Sequence, residues 1–331
     1  MKLLILGGTA FVGRHIVHAA LARGHAVTVF HRGKTNVDQW PEVEKLRGDR
    51  DGDLAALRGR TWDGVIDTSA YTPRVAAQSA QLLAESVCHY AFVSTVSVYA
   101  DFSRPGITER APRAVMPDDD LETVRPETYG ALKARAERAV AEHFPGKTLI
   151  VRPGIIVGPY DYTGRFGYWP RRIAQGGDVL APGAPSHPLQ VIDARDLAAW
   201  MIARVEVADA GLYNATGPAE PLGWGAFLHE CIRVTGAEVR LHWVADKRLA
   251  DAGVNDGDLP LWAPATPRTA GFHAVSNAKA VAAGLTFRPL ADSIAAALEA
   301  ADGKAPHGKV GASRYREAHL LRRLANLAAA P

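Results

Sequence analysis

Tyr129 and Lys133 stand four residues apart in Tyr129-Gly130-Ala131-Leu132-Lys133, inside a segment of helical pattern that runs from Arg125 to His143. Residues at that spacing share one face of a helix, so a phenol and an ammonium can point into one site. A cation beside a phenol stabilises the phenolate and lowers its pKa, which suits proton exchange with an oxygen of a bound molecule. Taken alone, the spacing also fits a solvated helix face. The run Ala91-Phe92-Val93-Ser94-Thr95 adds a second feature, an apolar stretch that ends in hydroxyls. If it is a strand of a parallel sheet, Thr95 lies at the carboxyl edge, where open α/β folds bind ligands, and can donate to the same oxygen. Ser97, two residues on, is a candidate contact to the bound molecule.

A second constellation opens the chain. Lys2–Leu6 reads as a buried strand, Gly7-Gly8-Thr9-Ala10-Phe11-Val12-Gly13 as a turn, and Val12–Arg23 as a helix. Small residues in such a turn let backbone N–H groups approach a pyrophosphate, and the helix N-terminus adds partial positive charge. Strand, turn and helix in this order are the context that the dinucleotide fingerprint requires. Gly7, Thr9, Ala10, Phe11, Val12 and Gly13 are therefore candidate cofactor contacts. Ala10 stands where that fingerprint has its middle glycine, and its methyl narrows the gap to the phosphates. The second strand, Ala26–His31, runs into Arg32 and Gly33. An acid at this point would bind the ribose 2′-hydroxyl of NAD, whereas an arginine favours a 2′-phosphate. The expected cofactor is thus NADP, with NAD the alternative, and His31 and Arg32 are candidate contacts. Asp49 sits where an acid could meet the adenine amino group.

These residues must be positioned by a framework. Gly64–Thr68, Tyr90–Ser94 and Thr148–Arg152 read as further strands, separated by helical segments near Asp53–Leu57, Arg74–Glu85 and Arg125–His143. Continuous apolar strands alternating with helices indicate a parallel sheet covered on both faces, an α/β fold of Rossmann type, doubly wound. Pro153–Pro188 is rich in Gly, Pro and aromatics and reads as loops with little regular structure. Leu189–Ile192 reads as another core strand, followed by a helix from Asp196. The expected organisation is a cofactor domain over 1–154, rejoined by 189–216, and a smaller substrate lobe over 155–188 and 217–331. The tail from Gly303 ends in a helical pattern with Leu320, Leu321, Leu324 and Leu327 on one side. It reads as a helix packed on the body or on a second subunit, so a homodimer is one expected assembly.

Composition sets outer limits. The chain of 331 residues is 47% hydrophobic with a formal charge of +3, a balance that does not call for nucleic acid or an anionic membrane. Two cysteines are too few for a disulfide framework and fit a reducing compartment. The N-terminal apolar run is too short for a secretion signal, and no stretch is long enough to span a membrane, so a cytoplasmic protein is expected. The twelve histidines show no metal-ligand spacing with acids or cysteines, and no metal is expected. The basic residues of the tail, among them Arg314, Arg316, Arg322 and Arg323, read as a solvated helix face rather than a nucleic-acid contact.

Taken together, Gly7–Gly13, Phe92-Val93-Ser94-Thr95-Val96-Ser97-Val98-Tyr99, Tyr129-x-x-x-Lys133, and Arg152-Pro153-Gly154 with Gly158-Pro159 resemble the extended short-chain dehydrogenase/reductases. These include the NAD-dependent epimerase/dehydratase family. The likeness runs in order from residue 1 to about Asp196 and is similar to an atypical branch holding bacterial reductases and plastid stem-loop RNA-binding relatives. It implies that Thr95, Tyr129 and Lys133 are catalytic, with Tyr129 and Lys133 also contacting the cofactor and Lys133 serving its ribose. It implies that Thr68, Ser69 and Ala70 line the cofactor and that Pro153 and Gly154 lie beside the nicotinamide. The dehydratase subgroup has Asp-Glu after its threonine; Val96-Ser97 here argues against dehydration by that route.

The leading expectation is NADP-linked oxidation or reduction of a carbonyl or alcohol on a small molecule, anionic or a sugar nucleotide. Arg165 is the candidate for a substrate anion. Trp169 is either a wall of the substrate pocket or a core anchor. Two rivals stand beside this reading. One is a redox-neutral epimerase with retained NAD; the other is a non-catalytic or RNA-binding relative.

Overall fold

The computed structural model describes all residues except 37, 117–121, 256, 265, 301–309 and 330–331, and no side chain beyond residue 325. Its strands are β1 (Lys2–Leu6), β2 (Ala26–His31), β3 (Glu44–Arg47), β4 (Trp62–Asp67), β5 (Val87–Val93), β6 (Thr148–Pro153), β7 (Ile155–Val157), β8 (Gly177–Pro182), β9 (Val191–Asp193), β10 (Leu212–Ala215) and β11 (Val239–Val244). Its helices are α1 (Phe11–Ala22), α2 (Pro73–Leu83), α3 (Pro126–His143), α4 (Arg165–Ala174), α5 (Ala194–Glu206), α6 (Trp224–Thr235), α7 (Asp246–Asp251), α8 (Ala278–Ala282), α9 (Leu290–Glu299) and α10 (Arg314–Ala329).

Seven strands form one sheet in the order β10-β6-β5-β4-β1-β2-β3, every neighbour parallel. Alternate residues of a strand face opposite sides, and the sequence fills both sides with apolar groups. Leu3, Ile5, Ile66, Ala91 and Val151 pack under α1 and α5. Leu4, Leu6, Val65, Tyr90 and Phe92 pack on the other face, under α2 and α3. Strand order reverses between β1 and β4, so the loops after these two strands diverge and leave a crevice at their carboxyl ends. The fold class is therefore the Rossmann-type doubly wound sheet expected. The edge strand β3 has only four residues, three of them charged, which explains why no apolar run announced it.

A separate core gathers Trp169, Trp224, Phe166, Phe227, Leu180 and Leu249, with Leu320 and Leu324 of α10 closing it. Here β8 pairs with β11, and α4 packs on α6 and α9. The expectation that 153–188 lacks regular structure is corrected, because the segment holds β7, α4 and β8. Its glycines border elements rather than dissolve them. Gly164 (φ 62°) precedes α4, and Gly176 and Gly177 (φ 68° and 75°) turn the chain into β8. Its aromatics Phe166, Tyr168 and Trp169 are buried, and that burial overrides the breaker Pro170 inside α4. The tail helix docks on the body: buried Glu317 pairs with Arg172 at 2.5 Å and accepts the Leu180 N–H at 2.9 Å. Among the described residues, no helix is long and apolar enough to cross a membrane.

Candidate active site

The turn after β1 is shaped by close approach. Gly7 has φ +110°, and a Cβ there would meet Thr68 Oγ1 at 2.2 Å. A Cβ on Gly13 would meet the Gly8 backbone nitrogen at 2.5 Å. Gly7 seats the turn against Thr68 after β4, and Gly13 seats the first turn of α1 on Gly8. Ala10 is exposed in extended backbone (φ −131°), which any residue adopts, so its methyl replaces the expected glycine without strain. No side chain caps α1 at Ala10, and the first-turn N–H groups remain available to an anion. The uncapped first turn of α1 fits an anion such as a dinucleotide pyrophosphate.

Across the crevice, Asp67 ends β4 and takes the N–H groups of Ser69 and Ala70 at 3.0 and 3.2 Å. Thr68 donates to the Leu6 carbonyl at 2.9 Å, tying this loop to the glycine turn. Thr9 meets Thr35 at 3.0 Å, and the Asn36 amide donates to the Thr9 carbonyl at 2.8 Å, so the segment after β2 closes over the same turn. His31 is buried. Its Nδ1 accepts the Gly33 N–H at 3.0 Å, which leaves Nε2 as a buried polar atom with no partner among the described residues. Burial first, then Arg47 and Lys45, lower its pKa. Arg32 and Lys34 are exposed beside it, and the Arg47 guanidinium flanks Gly33, so three cations ring the end of β2. Asp49 caps its own turn by accepting the Asp51 N–H at 3.1 Å.

The catalytic candidates come together on the other side of the crevice. Thr95 follows β5, and its Oγ1 accepts the Ser97 N–H at 3.1 Å and donates to Ser97 Oγ at 3.2 Å. Gly130 lets α3 press on this turn, since a Cβ there would meet the Ser97 carbonyl at 2.0 Å. That contact brings Tyr129 to Thr95. Burial and then the Tyr71 phenol raise Tyr129 to about 12, while its hydrogen bond with Thr95 pulls the other way. Lys133 is buried, with Nζ donating to the Ala70 carbonyl at 2.7 Å and the Val93 carbonyl at 2.8 Å. Burial lowers its pKa to about 8, and nearby Asp67 resists that shift.

The sequence led to the expectation that Lys133 holds Tyr129 near working pH; burial shifts the phenol the other way here. The Lys133 ammonium donates to two backbone carbonyls, and its Nζ lies 4.1 Å over the Phe92 ring. Tyr129 is accordingly a protonated phenol at neutral pH. Pro153 ends β6, and Gly154 donates to the Ala215 carbonyl at 3.3 Å, which holds this corner to β10.

The substrate candidates are not brought together. Arg165 is exposed at the start of α4, its Nε 3.4 Å from Thr163 Oγ1. Trp169 is fully buried, donates to the Pro260 carbonyl at 2.7 Å and meets Trp224 edge-on at 4.9 Å. Its place is the lobe core, which corrects the reading of Trp169 as a pocket wall. The turn before α4 reaches the glycine loop through other residues. Tyr160 lies under the Arg14 guanidinium at 3.4 Å, and His15 meets the Pro159 carbonyl at 2.9 Å.

Buried ionic networks on either side of Lys133 escaped the sequence reading. Below the crevice, Arg50 forms a two-pronged pair with Asp67 and a hydrogen bond to Ser79 at 3.0 Å, and Tyr90 donates to Asp67 at 2.8 Å. Burial alone would raise the Asp67 carboxyl, but Arg50 overrides it and holds the group below the usual carboxylate range. Behind α3, Glu137 pairs with Arg152 at 2.6 Å and accepts from Ser94 at 2.6 Å, and Arg152 donates to Tyr99 at 3.0 Å. Glu137 follows Lys133 by four residues, as Lys133 follows Tyr129. That spacing was the available signal for a third polar group on one buried helix face. Among the described residues, no group of three or more His, Cys, Asp or Glu could hold a metal ion.

Comparison with known proteins agrees with this architecture. The Campylobacter jejuni UDP-Glc/GlcNAc 4-epimerase superposes with a TM-score of 0.68 at 14% identity, covering 90% of this chain and 98% of that one. The Bordetella bronchiseptica enzyme WbmH, solved with NAD+, gives 0.65 at 17% identity over 90% and 97%. By sequence, the chloroplast stem-loop binding protein of 41 kDa b from Arabidopsis thaliana is 24% identical over 237 residues, 65% of this chain. A 3 beta-hydroxysteroid dehydrogenase/Delta 5→4-isomerase from Mycobacterium tuberculosis is 36% identical over 70 residues, 21% of this chain. The matches span 58% and 19% of these curated relatives' own lengths, so the chain covers less than two thirds of either. The profile of the NAD dependent epimerase/dehydratase family matches residues 3–215. The chain belongs to the NAD dependent epimerase/dehydratase family.

Proposed function

We propose that this protein is a nicotinamide-dependent oxidoreductase acting at a carbonyl or alcohol carbon of a small molecule, with Tyr129 exchanging the proton. The observation that carries this reading is the meeting of Thr95 and Tyr129, over the anchored Lys133, beside an uncapped helix N-terminus at the strand reversal. When bound, the nicotinamide supplies or accepts the hydride. Tyr129, kept protonated by burial, gives its proton to an oxygen on which negative charge develops. Thr95 shares that oxygen by hydrogen bonding. Lys133 fixes the 68–70 loop to the end of β5, and its remaining N–H would serve the cofactor ribose. The test is loss of reduced-nicotinamide absorbance with a panel of aldehydes and ketones. Turnover with stoichiometric cofactor oxidation supports the reading, and failure to bind either nicotinamide cofactor overturns it.

The cation ring at the end of β2 supports NADP over NAD. Arg32→Ala is expected to weaken NADPH binding by about 1.5–3 kcal/mol, the loss of a hydrogen bond to a charged group, and to leave NADH nearly unchanged. Calorimetric titration of both cofactors checks this; equal losses would remove Arg32 from the 2′-phosphate site. A redox-neutral epimerisation is the second reading, favoured by the family's own description. It would show product formation with no net change in cofactor.

A further inference from the structure

The face of α3 that carries Tyr129 and Lys133 continues to Glu137. Each of these side chains meets a different residue of the run that ends β5. Tyr129 hydrogen-bonds the Thr95 side chain. Lys133 Nζ donates to the Val93 carbonyl at 2.8 Å. Glu137 Oε1 accepts from Ser94 Oγ at 2.6 Å. The consecutive residues Val93, Ser94 and Thr95 are therefore pinned by successive turns of one helix.

Glu137 is itself fixed from the sheet. Its Oε1 takes Arg152 Nε at 2.8 Å and its Oε2 takes Arg152 Nη2 at 2.6 Å, with Arg113 further off at 3.6 Å. Arg152 belongs to β6, which pairs with β5 through Val93 and Val151, and the Ser94 N–H donates to the Val151 carbonyl at 2.6 Å. The Glu137 side chain is 1% exposed, so it acts through its neighbours rather than on a bound molecule. A buried ion pair adds little stability over apolar residues of similar volume, so stability alone does not account for a charged pair here.

Two neighbours of Glu137 belong to the Tyr129 centre. Ser94 precedes Thr95, and Lys133 lies one turn before Glu137 on α3. The charges that face Lys133 are Asp67 of β4, Arg50 paired with it, and Glu137; Asp67 and Glu137 favour the ammonium and Arg50 opposes it. The phenols beside Lys133 are Tyr129, one turn earlier on α3, and Tyr71, whose ring is 5.9 Å from Nζ.

We propose that Glu137 is a positioning residue for the Tyr129 centre: through Ser94 it holds Thr95 against Tyr129, and its carboxylate is the fixed counter-charge for Lys133 along α3. The proposal rests on the reading of Tyr129 as the proton donor.

The test is NMR of the full chain labelled at tyrosine Cζ and lysine Cε. The resonance missing from Tyr129→Phe assigns Tyr129, and the one missing from Lys133→Met assigns Lys133. Glu137→Gln keeps the shape and removes the charge. Lys133, which titrates near 8 in the wild type, should then titrate at lower pH, because an ammonium that loses a nearby negative charge gives up its proton more readily. Ser94→Ala leaves the Glu137–Arg152 pair intact, so it keeps the fold even if Glu137→Gln does not. In Ser94→Ala the Tyr129 resonance should move toward the position it takes in Thr95→Val, where the hydrogen bond is deleted outright. A folded Glu137→Gln with an unmoved Lys133 titration would overturn the proposal. A Tyr129 resonance that stays at its wild-type position in Ser94→Ala would overturn it as well. A lower urea midpoint with both resonances unmoved would make Glu137 a structural ion pair only. These measurements need neither cofactor nor substrate. Unmoved resonances together with an inactive Tyr129→Phe would strike the role of Glu137 and leave the oxidoreductase reading intact.

Discussion

Tyr129→Phe is expected to lower kcat by about 10²–10⁴, the usual contribution of a positioned general acid, with the fold unchanged. The substitution keeps the ring that packs near Tyr71 and deletes only the proton and the hydrogen bond with Thr95. Because burial holds this phenol near 12, it remains a donor across the neutral range, and the reductive direction should not decline as pH rises toward 8 on account of Tyr129. Lys133, lowered to about 8, is the group in the site whose charge changes first in alkali. A fall in reductive turnover centred near pH 8 would therefore be assigned to loss of the Lys133 proton. Steady-state rates of both proteins on one carbonyl substrate, measured across pH, check the prediction. Undiminished kcat in Tyr129→Phe would place the chemistry elsewhere.

Asp67→Ala is expected to cost about 3–5 kcal/mol of stability, the range found when one partner of a buried ion pair is removed. Arg50 would be left charged and buried, with Ser79 and Ser69 as its remaining partners. Tyr90 would lose its acceptor, and the N–H groups of Ser69 and Ala70 would lose theirs. Against a total stability of about 5–15 kcal/mol for a typical folded domain, this is a large fraction. The same loop presents the Ala70 carbonyl to Lys133, so cofactor affinity should fall as well. Urea unfolding checks the first effect and cofactor titration the second. A loss below about 1 kcal/mol would mean that Arg50 finds water or another acceptor.

Much of this site could be read from residue order because its parts are local. Gly7 to Gly13 form one turn, and Tyr129 with Lys133 form one helix face; both are fixed by backbone periodicity before any tertiary contact. The doubly wound sheet was legible for the same reason, since its strands are buried on both sides and read as unbroken apolar runs. What escaped depends on distance in sequence. Arg50 and Asp67 are far apart in the chain, and neither residue type announces a buried pair. Arg14 and Tyr160 meet only because α1 and the turn before α4 are folded together. Trp169 shows the limit from the other side. Its type suits a pocket wall or a core, and only packing against Trp224 and Pro260 decides for the core. The helix α4 was hidden by composition, because glycine and proline were read as breakers where tertiary burial of Phe166 and Trp169 prevails.

The central claim is that a nicotinamide cofactor lies in the crevice between the glycine turn and Tyr129. A crystal structure of the protein grown with NADPH tests it most directly. The account predicts the pyrophosphate on the backbone amides of the Thr9–Gly13 turn, the 2′-phosphate among Arg32, Lys34 and Arg47, and the nicotinamide ribose within hydrogen-bond reach of Tyr129 and Lys133. Clear density for the cofactor away from the Thr9–Gly13 turn, or a crevice that stays empty at saturating NADPH, would contradict it.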